Sequence, residues 1–131
     1  MNPALLQTFA LSRYPDRTAI VFHDQRLTYR ELNIRSNKLA NALLSLGLKK
    51  GQKTAVLMNN CLELVESLSG VPKIGLTMVP LNARQSGEEH AFILNDAGAD
   101  ALIVGSNLWP VIDPVLSAIP GLNHILVVGE D

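Results

Sequence analysis

The chain is expected to form an α/β fold: a mostly parallel sheet flanked by helices and preceded by a short hairpin. Three observations carry this expectation. Short runs rich in β-branched and aliphatic residues alternate with segments of helical periodicity along the whole chain. The run 54–58 (Thr-Ala-Val-Leu-Met) is apolar almost throughout, as in a strand covered on both faces. Each strand after the hairpin is reached through a helical segment, which is the connection that parallel neighbours need.

The elements follow in order. Residues 1–14 carry Leu5, Leu6, Phe9 and Ala10 at helical spacing, with Pro3 near the first turn and Pro15-Asp16 as the stop. Thr18–Phe22 reads as a strand, His23-Asp24-Gln25 as a turn and 26–29 as the returning strand. Thr28 and Glu31 stand three apart, as a capping box requires. Leu32, Leu39, Leu43 and Leu46 then line one helical face. Gly47 follows as a left-handed stop, with Leu48 making a hydrophobic contact just beyond it.

After the 54–58 strand, Asn60 and Glu63 repeat the cap-and-acid spacing, and Leu64, Leu68 and Val71 form a stripe. Gly70 and Pro72 interrupt this helix, because an interior proline costs about 3 kcal/mol. Gly75 ends it. Residues 77–81 form a strand. Ser86 and Glu89 give another capping box, for a helix running through Ile93 and Leu94 to Gly98. A strand at 101–104, a short helix over 111–119 opened by Pro110, and a strand at His124–Val128 complete the pattern.

Composition excludes several classes. The 131 residues amount to one domain's worth of chain, 47% hydrophobic and only 18% charged, against about 25% charged in an average protein. Eleven basic and twelve acidic side chains leave a net charge of −1, which argues against nucleic-acid binding. The apolar content argues against disorder. A single cysteine forms no internal disulfide. No apolar run reaches the roughly 20 residues of a membrane span, and no basic residue precedes Arg13 to open a signal peptide. A cytoplasmic location is the expectation.

The sequence carries no self-sufficient catalytic constellation. No Gly-x-Gly-x-x-Gly follows a strand. The string Gly47 to Thr54 has three residues between its glycines, where a phosphate loop has four, and Gln52 separates Gly51 from Lys53. It also leads from a helix into a strand, so no helix N-terminus faces a phosphate, and it reads as a solvated loop. A magnesium-binding receiver module needs acids at strand ends. Here those ends carry Asn59, Asn60, Asn82, Gly105 and Ser106. His23, His90 and His124 lie far apart and show no metal-ligand spacing. Cys61 stands beside a helix N-terminus, a position that can lower a thiol pKa, but no histidine accompanies it and a small, partly buried side chain is expected. Trp109 is expected to pack against the sheet.

Several segments, taken in order, resemble the beginning of the adenylate-forming (AMP-binding) superfamily: acyl-CoA synthetases, adenylation domains and luciferases. The matching strings are Arg13-Tyr14-Pro15-Asp16 with Thr18-Ala19-Ile20; Leu27-Thr28-Tyr29-Arg30-Glu31-Leu32; Leu46-Gly47-Leu48; and Lys50-Gly51 with Lys53-Thr54-Ala55-Val56-Leu57. Asn59, Gly70 to Gly75, Val79-Pro80-Leu81-Asn82-Ala83-Arg84, Glu88-Glu89 and Ile93-Leu94-Asn95-Asp96-Ala97-Gly98-Ala99 complete the set. Gln52, where the family usually has an acid, and Pro72 depart from the pattern. Val79-Pro80-Leu81-Asn82 and Ile93-Leu94-Asn95-Asp96-Ala97 look most similar to acyl-CoA ligases.

The resemblance implies that residues 1–131 are the N-terminal α/β portion of the large domain of a longer enzyme. That enzyme would activate a small-molecule carboxylate with ATP and Mg²⁺ to an acyl-adenylate, then pass the acyl group to CoA. The family's phosphate loop, magnesium ligands, ribose aspartate and C-terminal lysine come later in its members and are not among these residues, so this piece is expected to be scaffold and inactive alone. One residue is implied to reach the chemistry: Arg84, whose position in some members lies near the CoA phosphates. The expected partners are the remainder of the enzyme and, through exposed apolar surface, a second copy of the chain. Two alternatives stay open: a stand-alone flavodoxin-like or receiver-like binding module, and the start of a peptide-synthetase adenylation domain.

Overall fold

The computed structural model describes residue 2 and residues 4–129; the placement of Pro3 near a first turn and the reading of residues 130–131 lie outside it. Two units emerge, one from Met1–Lys50 with Cys61–Leu76, the other from Gly51–Asn60 with Thr77–Asp131.

The first unit holds helix α1 (Ala4–Arg13), the antiparallel hairpin β1 (Thr18–Phe22) and β2 (Gln25–Thr28), helix α2 (Tyr29–Ser45) and helix α3 (Leu62–Lys73). His23 turns the hairpin at φ 51°, a left-handed conformation unusual for a non-glycine residue. Tyr29, expected at the end of the returning strand, is instead the first residue of α2. Thr28 ends the strand and caps the helix: its hydroxyl accepts the Glu31 N–H at 3.2 Å, and the Glu31 carboxylate accepts the Thr28 N–H at 2.8 Å.

At the other end of α2, Gly47 sits at φ 87°, and the Leu48 and Gly47 N–H groups donate to the carbonyls of Leu43 and Leu44. This is the expected glycine stop, with Leu48 and Leu43 both buried. The inward face of α2 is Leu32, Ser36, Ala40 and Leu43; Leu46, expected on it, lies at the cap and is exposed. In α1 only Ala4 is fully buried, while Leu5, Leu6 and Phe9 face outward.

Two expectations for α3 are corrected. Its N-cap is Cys61, not Asn60, and no side chain caps it. Its buried residues are Leu62, Ser67, Gly70 and Val71, and Leu68 is exposed. The reason is close helix contact. A Cβ on Gly70 would stand 2.8 Å from the Ser36 carbonyl oxygen of α2, so a small residue of α3 faces the crossing there and Leu68 turns away. The helix also runs through Pro72, which lies in its last turn, to Lys73. Arg35 bridges the same two helices, pairing with Glu66 and, at 3.7 Å, with Glu63.

The second unit is a four-stranded parallel sheet, in the order β4-β3-β5-β6: β3 (Lys53–Leu57), β4 (Thr77–Pro80), β5 (Ala101–Gly105) and β6 (His124–Val128). β5 is buried along its whole length and β3 in four of five residues, as continuously apolar strands should be. Helix α4 (Gly87–Ala97) and the short helix α5 (Trp109–Ile112) pack on one sheet face around Ala55, Leu57, Leu94, Leu102, Val104 and Ile112. Trp109 packs against this core as expected.

The single helix expected over 111–119 is not formed. The segment is a 3₁₀ turn (Ser106–Leu108), α5, and a second 3₁₀ stretch (Asp113–Ala118). Pro114 lacks the N–H that would bond back to Pro110, and the chain tightens to the 3₁₀ form there. Among the described residues no helix is long and apolar enough to cross a membrane.

Candidate functional site

In a parallel sheet the loops at the carboxyl ends of the strands carry the variable chemistry, and a crevice opens where successive connections diverge. Here the chain leaves β3 for β4 on one side and returns to place β5 on the other, so the divergence falls between β3 and β5. The carboxyl ends of these strands present Asn59 and Asn60 on one side and Ser106 and Asn107 on the other. The backbone is drawn in tightly here. A Cβ on Gly105 would stand 2.8 Å from the Asn107 Oδ1, and Gly129, at φ 131°, lies against the Ser106 side chain.

Arg84 lies in the loop following β4, also at the carboxyl end. Leu81 N–H donates to the Val56 carbonyl at 2.9 Å, which pins the chain as it leaves the sheet. Asn82 then holds the turn twice: its Oδ1 accepts the Arg84 N–H at 3.0 Å and its carbonyl accepts the Gln85 N–H at 3.1 Å. Asparagine suits this role because its side chain mimics a backbone turn. Leu81 is buried and Ala83 is half-buried against the core, while Asn82 and Arg84 face solvent.

On its far side the loop is fixed by Ser86. The Ser86 hydroxyl accepts the Glu89 N–H, and the Glu89 carboxylate accepts the Ser86 N–H at 2.7 Å, as the spacing of the two residues required. That hydrogen bond holds the Glu89 carboxyl below its ordinary pKa of 4.5. The Arg84 backbone is therefore fixed on both sides, and its guanidinium makes no hydrogen bond or ion pair among the described residues. It is the one charged side chain among the described residues of these strand-end loops. A planar five-donor cation on a fixed backbone suits a phosphate. A shallow groove of about 500 Å³ continues along α4, lined by Gln85, Glu88, Glu89, Phe92 and Ile93. Its apolar floor and two carboxylates do not suit an anion.

The other residues singled out in the sequence do not converge on this loop. Of residues 47–54, 47–52 link α2 to β3, with left-handed glycines at 47 and 51, and 53–54 already belong to the strand. His23 occupies the hairpin turn beside the Phe22 ring, and His124 opens β6. His90 is buried on α4, and neither ring nitrogen has a hydrogen-bond partner among the described residues. Cys61 is half-buried as expected, but burial pushes its thiol pKa up, so the lowering that a helix N-terminus can bring does not prevail. Among the described residues no three His, Cys, Asp or Glu side chains stand together as metal ligands do. Sequence reasoning missed the hold of Asn82 on the Arg84 backbone. Its available signal was an asparagine two residues ahead of a turn position.

Residues 7–129 match the family described as AMP-binding enzyme. Crotonobetaine/carnitine–CoA ligase of Salmonella paratyphi B is 36% identical over 124 residues, a stretch covering 89% of this chain and 24% of that protein. An anthranilate CoA ligase solved with anthranoyl-AMP superposes with a TM-score of 0.94 at 30% identity, covering 98% of this chain and 25% of the ligase. A Mycobacterium tuberculosis fatty acyl CoA synthetase superposes with a TM-score of 0.91, also at 30% identity, over 97% of this chain and 26% of its own. The chain thus spans about a quarter of the length of the proteins it matches. A family match over nearly every described residue, joined to the same arrangement of sheet and helices, leads to one conclusion: the chain belongs to the AMP-binding enzyme family.

Proposed function

We propose that this chain is the N-terminal α/β scaffold of an ATP-dependent acyl-CoA synthetase, and that Arg84 grips a phosphate of CoA. In the reaction of such an enzyme, a carboxylate oxygen attacks the α-phosphorus of ATP. The bond to the β-phosphate breaks, and pyrophosphate leaves. The CoA sulfur then attacks the acyl carbonyl and AMP departs. ATP, Mg²⁺ and the carboxylate would be held by the rest of the enzyme. The strand-end loops here offer carboxamides, hydroxyls and one cation, which do not fit magnesium, so no step is assigned to the metal in this chain.

What Arg84 contributes is a positive charge carried on a backbone fixed in place. The observation that carries the reading is its guanidinium, unpaired among the described residues and solvent-facing, on a backbone tied down by Asn82 and Ser86. Only the side chain remains to be ordered when a phosphate arrives, at about 0.5–1.5 kcal/mol, and a hydrogen bond between charged groups contributes about 1.5–3 kcal/mol.

The test is kinetic. In the enzyme carrying this chain, Arg84→Ala is expected to raise KM for CoA roughly 10- to 100-fold. ATP–pyrophosphate exchange, which precedes CoA, should be unchanged. Arg84→Lys should recover part of the loss, because it keeps the charge but not the fork. An unaltered KM for CoA overturns the role of Arg84. The 131-residue chain alone should catalyse no exchange, and robust exchange by it would overturn the scaffold reading.

A further inference from the structure

Between the end of β4 at Pro80 and the start of α4 at Gly87 no helix or strand holds the chain, so the direction in which Arg84 leaves it depends on single bonds. Inward and outward residues alternate along this connection. Leu81 is buried and Ala83 is half-buried against the core, while Asn82 and Arg84 are exposed. The two outward residues therefore share one side of the loop. Leu81 is anchored by its burial and by the bond from its N–H to the Val56 carbonyl. At the other end the bonds of Ser86 and Glu89 run between those two residues and reach no atom of Arg84. The side-chain bond that lands on Arg84 itself comes from Asn82, whose Oδ1 accepts the Arg84 N–H at 3.0 Å.

Among the described residues this is the one hydrogen bond of the Asn82 side chain, and the side chain, being exposed, is not part of the core. A carboxamide closes such a turn two residues on and holds the peptide of the residue it bonds. A fixed N–H direction fixes the Cα–Cβ direction of Arg84, and with it the cone that the guanidinium sweeps. Without it, the turn rests on the bond from the Gln85 N–H to the Asn82 carbonyl, which spans Arg84 without touching it. Backbone freedom that must be lost on binding is subtracted from affinity.

We propose that Asn82 is a positioning residue for the CoA phosphate: it touches no ligand, and it acts through Arg84 by fixing the peptide from which the guanidinium projects. The proposal rests on Arg84 gripping CoA, and goes beyond it in naming the side chain that makes the grip effective.

A double-mutant cycle in the enzyme carrying this chain tests it. KM for CoA and ATP–pyrophosphate exchange are measured for the unaltered enzyme, Asn82→Ala, Arg84→Ala and the double variant. Asn82→Ala is expected to raise KM for CoA roughly 3- to 10-fold, with exchange unchanged, because one hydrogen bond and its ordering are lost. In the Arg84→Ala background the same substitution should add nothing, because no guanidinium is left to position. Asn82→Ser should recover part of the loss, since a hydroxyl closes the same turn more weakly.

The outcomes separate the two roles. If Arg84→Ala raises KM for CoA and Asn82→Ala leaves it unaltered, the positioning role is overturned while the role of Arg84 stands. If Arg84→Ala has no effect, both fall. An effect of Asn82→Ala that persists in full beside Arg84→Ala also overturns the proposal, because Asn82 then acts by another route. So does loss of exchange in both Asn82→Ala and Asn82→Ser, because the turn then serves the fold and not the arginine.

Discussion

Gly70 and His90 show how much a single side chain depends on what faces it. A helical glycine ordinarily costs about 1 kcal/mol relative to alanine, so replacing one usually stabilises. At position 70 the new methyl group would meet the backbone carbonyl of Ser36 at 2.8 Å, and a backbone atom gives way only if the helix moves. Gly70→Ala is therefore expected to destabilise by about 1–3 kcal/mol, read as a lower urea midpoint. A higher midpoint would show that α2 and α3 adjust freely.

His90 is the reverse case, a polar side chain where an apolar one belongs. It is 1% exposed and both ring nitrogens lack hydrogen-bond partners among the described residues. Burial holds its pKa below the ordinary 6.5, against a smaller opposing pull from the neighbouring Glu89 carboxylate. The unfolded chain therefore takes up a proton more readily than the folded one as pH falls through 6.5. Stability is full above that pH and declines below it. His90→Leu should stabilise by about 1–3 kcal/mol at pH 8. It should also flatten the decline between roughly pH 7 and 5, a window above the carboxylate range. Denaturant midpoints of both proteins across that window check it, and parallel curves would refute the assignment.

At the scale of elements, the caps were legible because they are local. Thr28 with Glu31 and Ser86 with Glu89 both close as their spacing required. Gly47 and Gly98 both adopt the left-handed stop, each followed by a buried residue. Thr28→Ala should cost about 1 kcal/mol, measured as a fall in Tm, with the loss concentrated in α2 by hydrogen exchange.

Asn60 with Glu63 has the same spacing, and no cap forms. The helix begins one residue later than the pattern suggested, at Leu62, which is buried. Local spacing yielded there to the register that buries Leu62, Ser67, Gly70 and Val71. The segment 111–119 shows the converse: a strictly local cause, the ring of Pro114, divides what periodicity alone read as one helix.

At the scale of the molecule, the function class and the fold were legible for different reasons. The resemblance to adenylate-forming enzymes rested on a dozen short strings in the right order, and the family match over residues 7–129 agrees with it. Arg84 was found through that resemblance and not through its own chemistry, because an arginine after a strand is common. Its restraint by Asn82 and Ser86 became visible only in three dimensions.

By itself, the sequence determined that helices and strands alternate, where the two capping boxes and the glycine stops fall, and that the sheet is parallel. Each follows from contacts within a few residues, or from crossover connections that admit no other pairing. The tertiary structure alone decided the order β4-β3-β5-β6, the small-residue face at the α2–α3 crossing and the burial of His90. These depend on residues brought together from distant parts of the chain, and no local periodicity encodes which distant neighbour a side chain will meet.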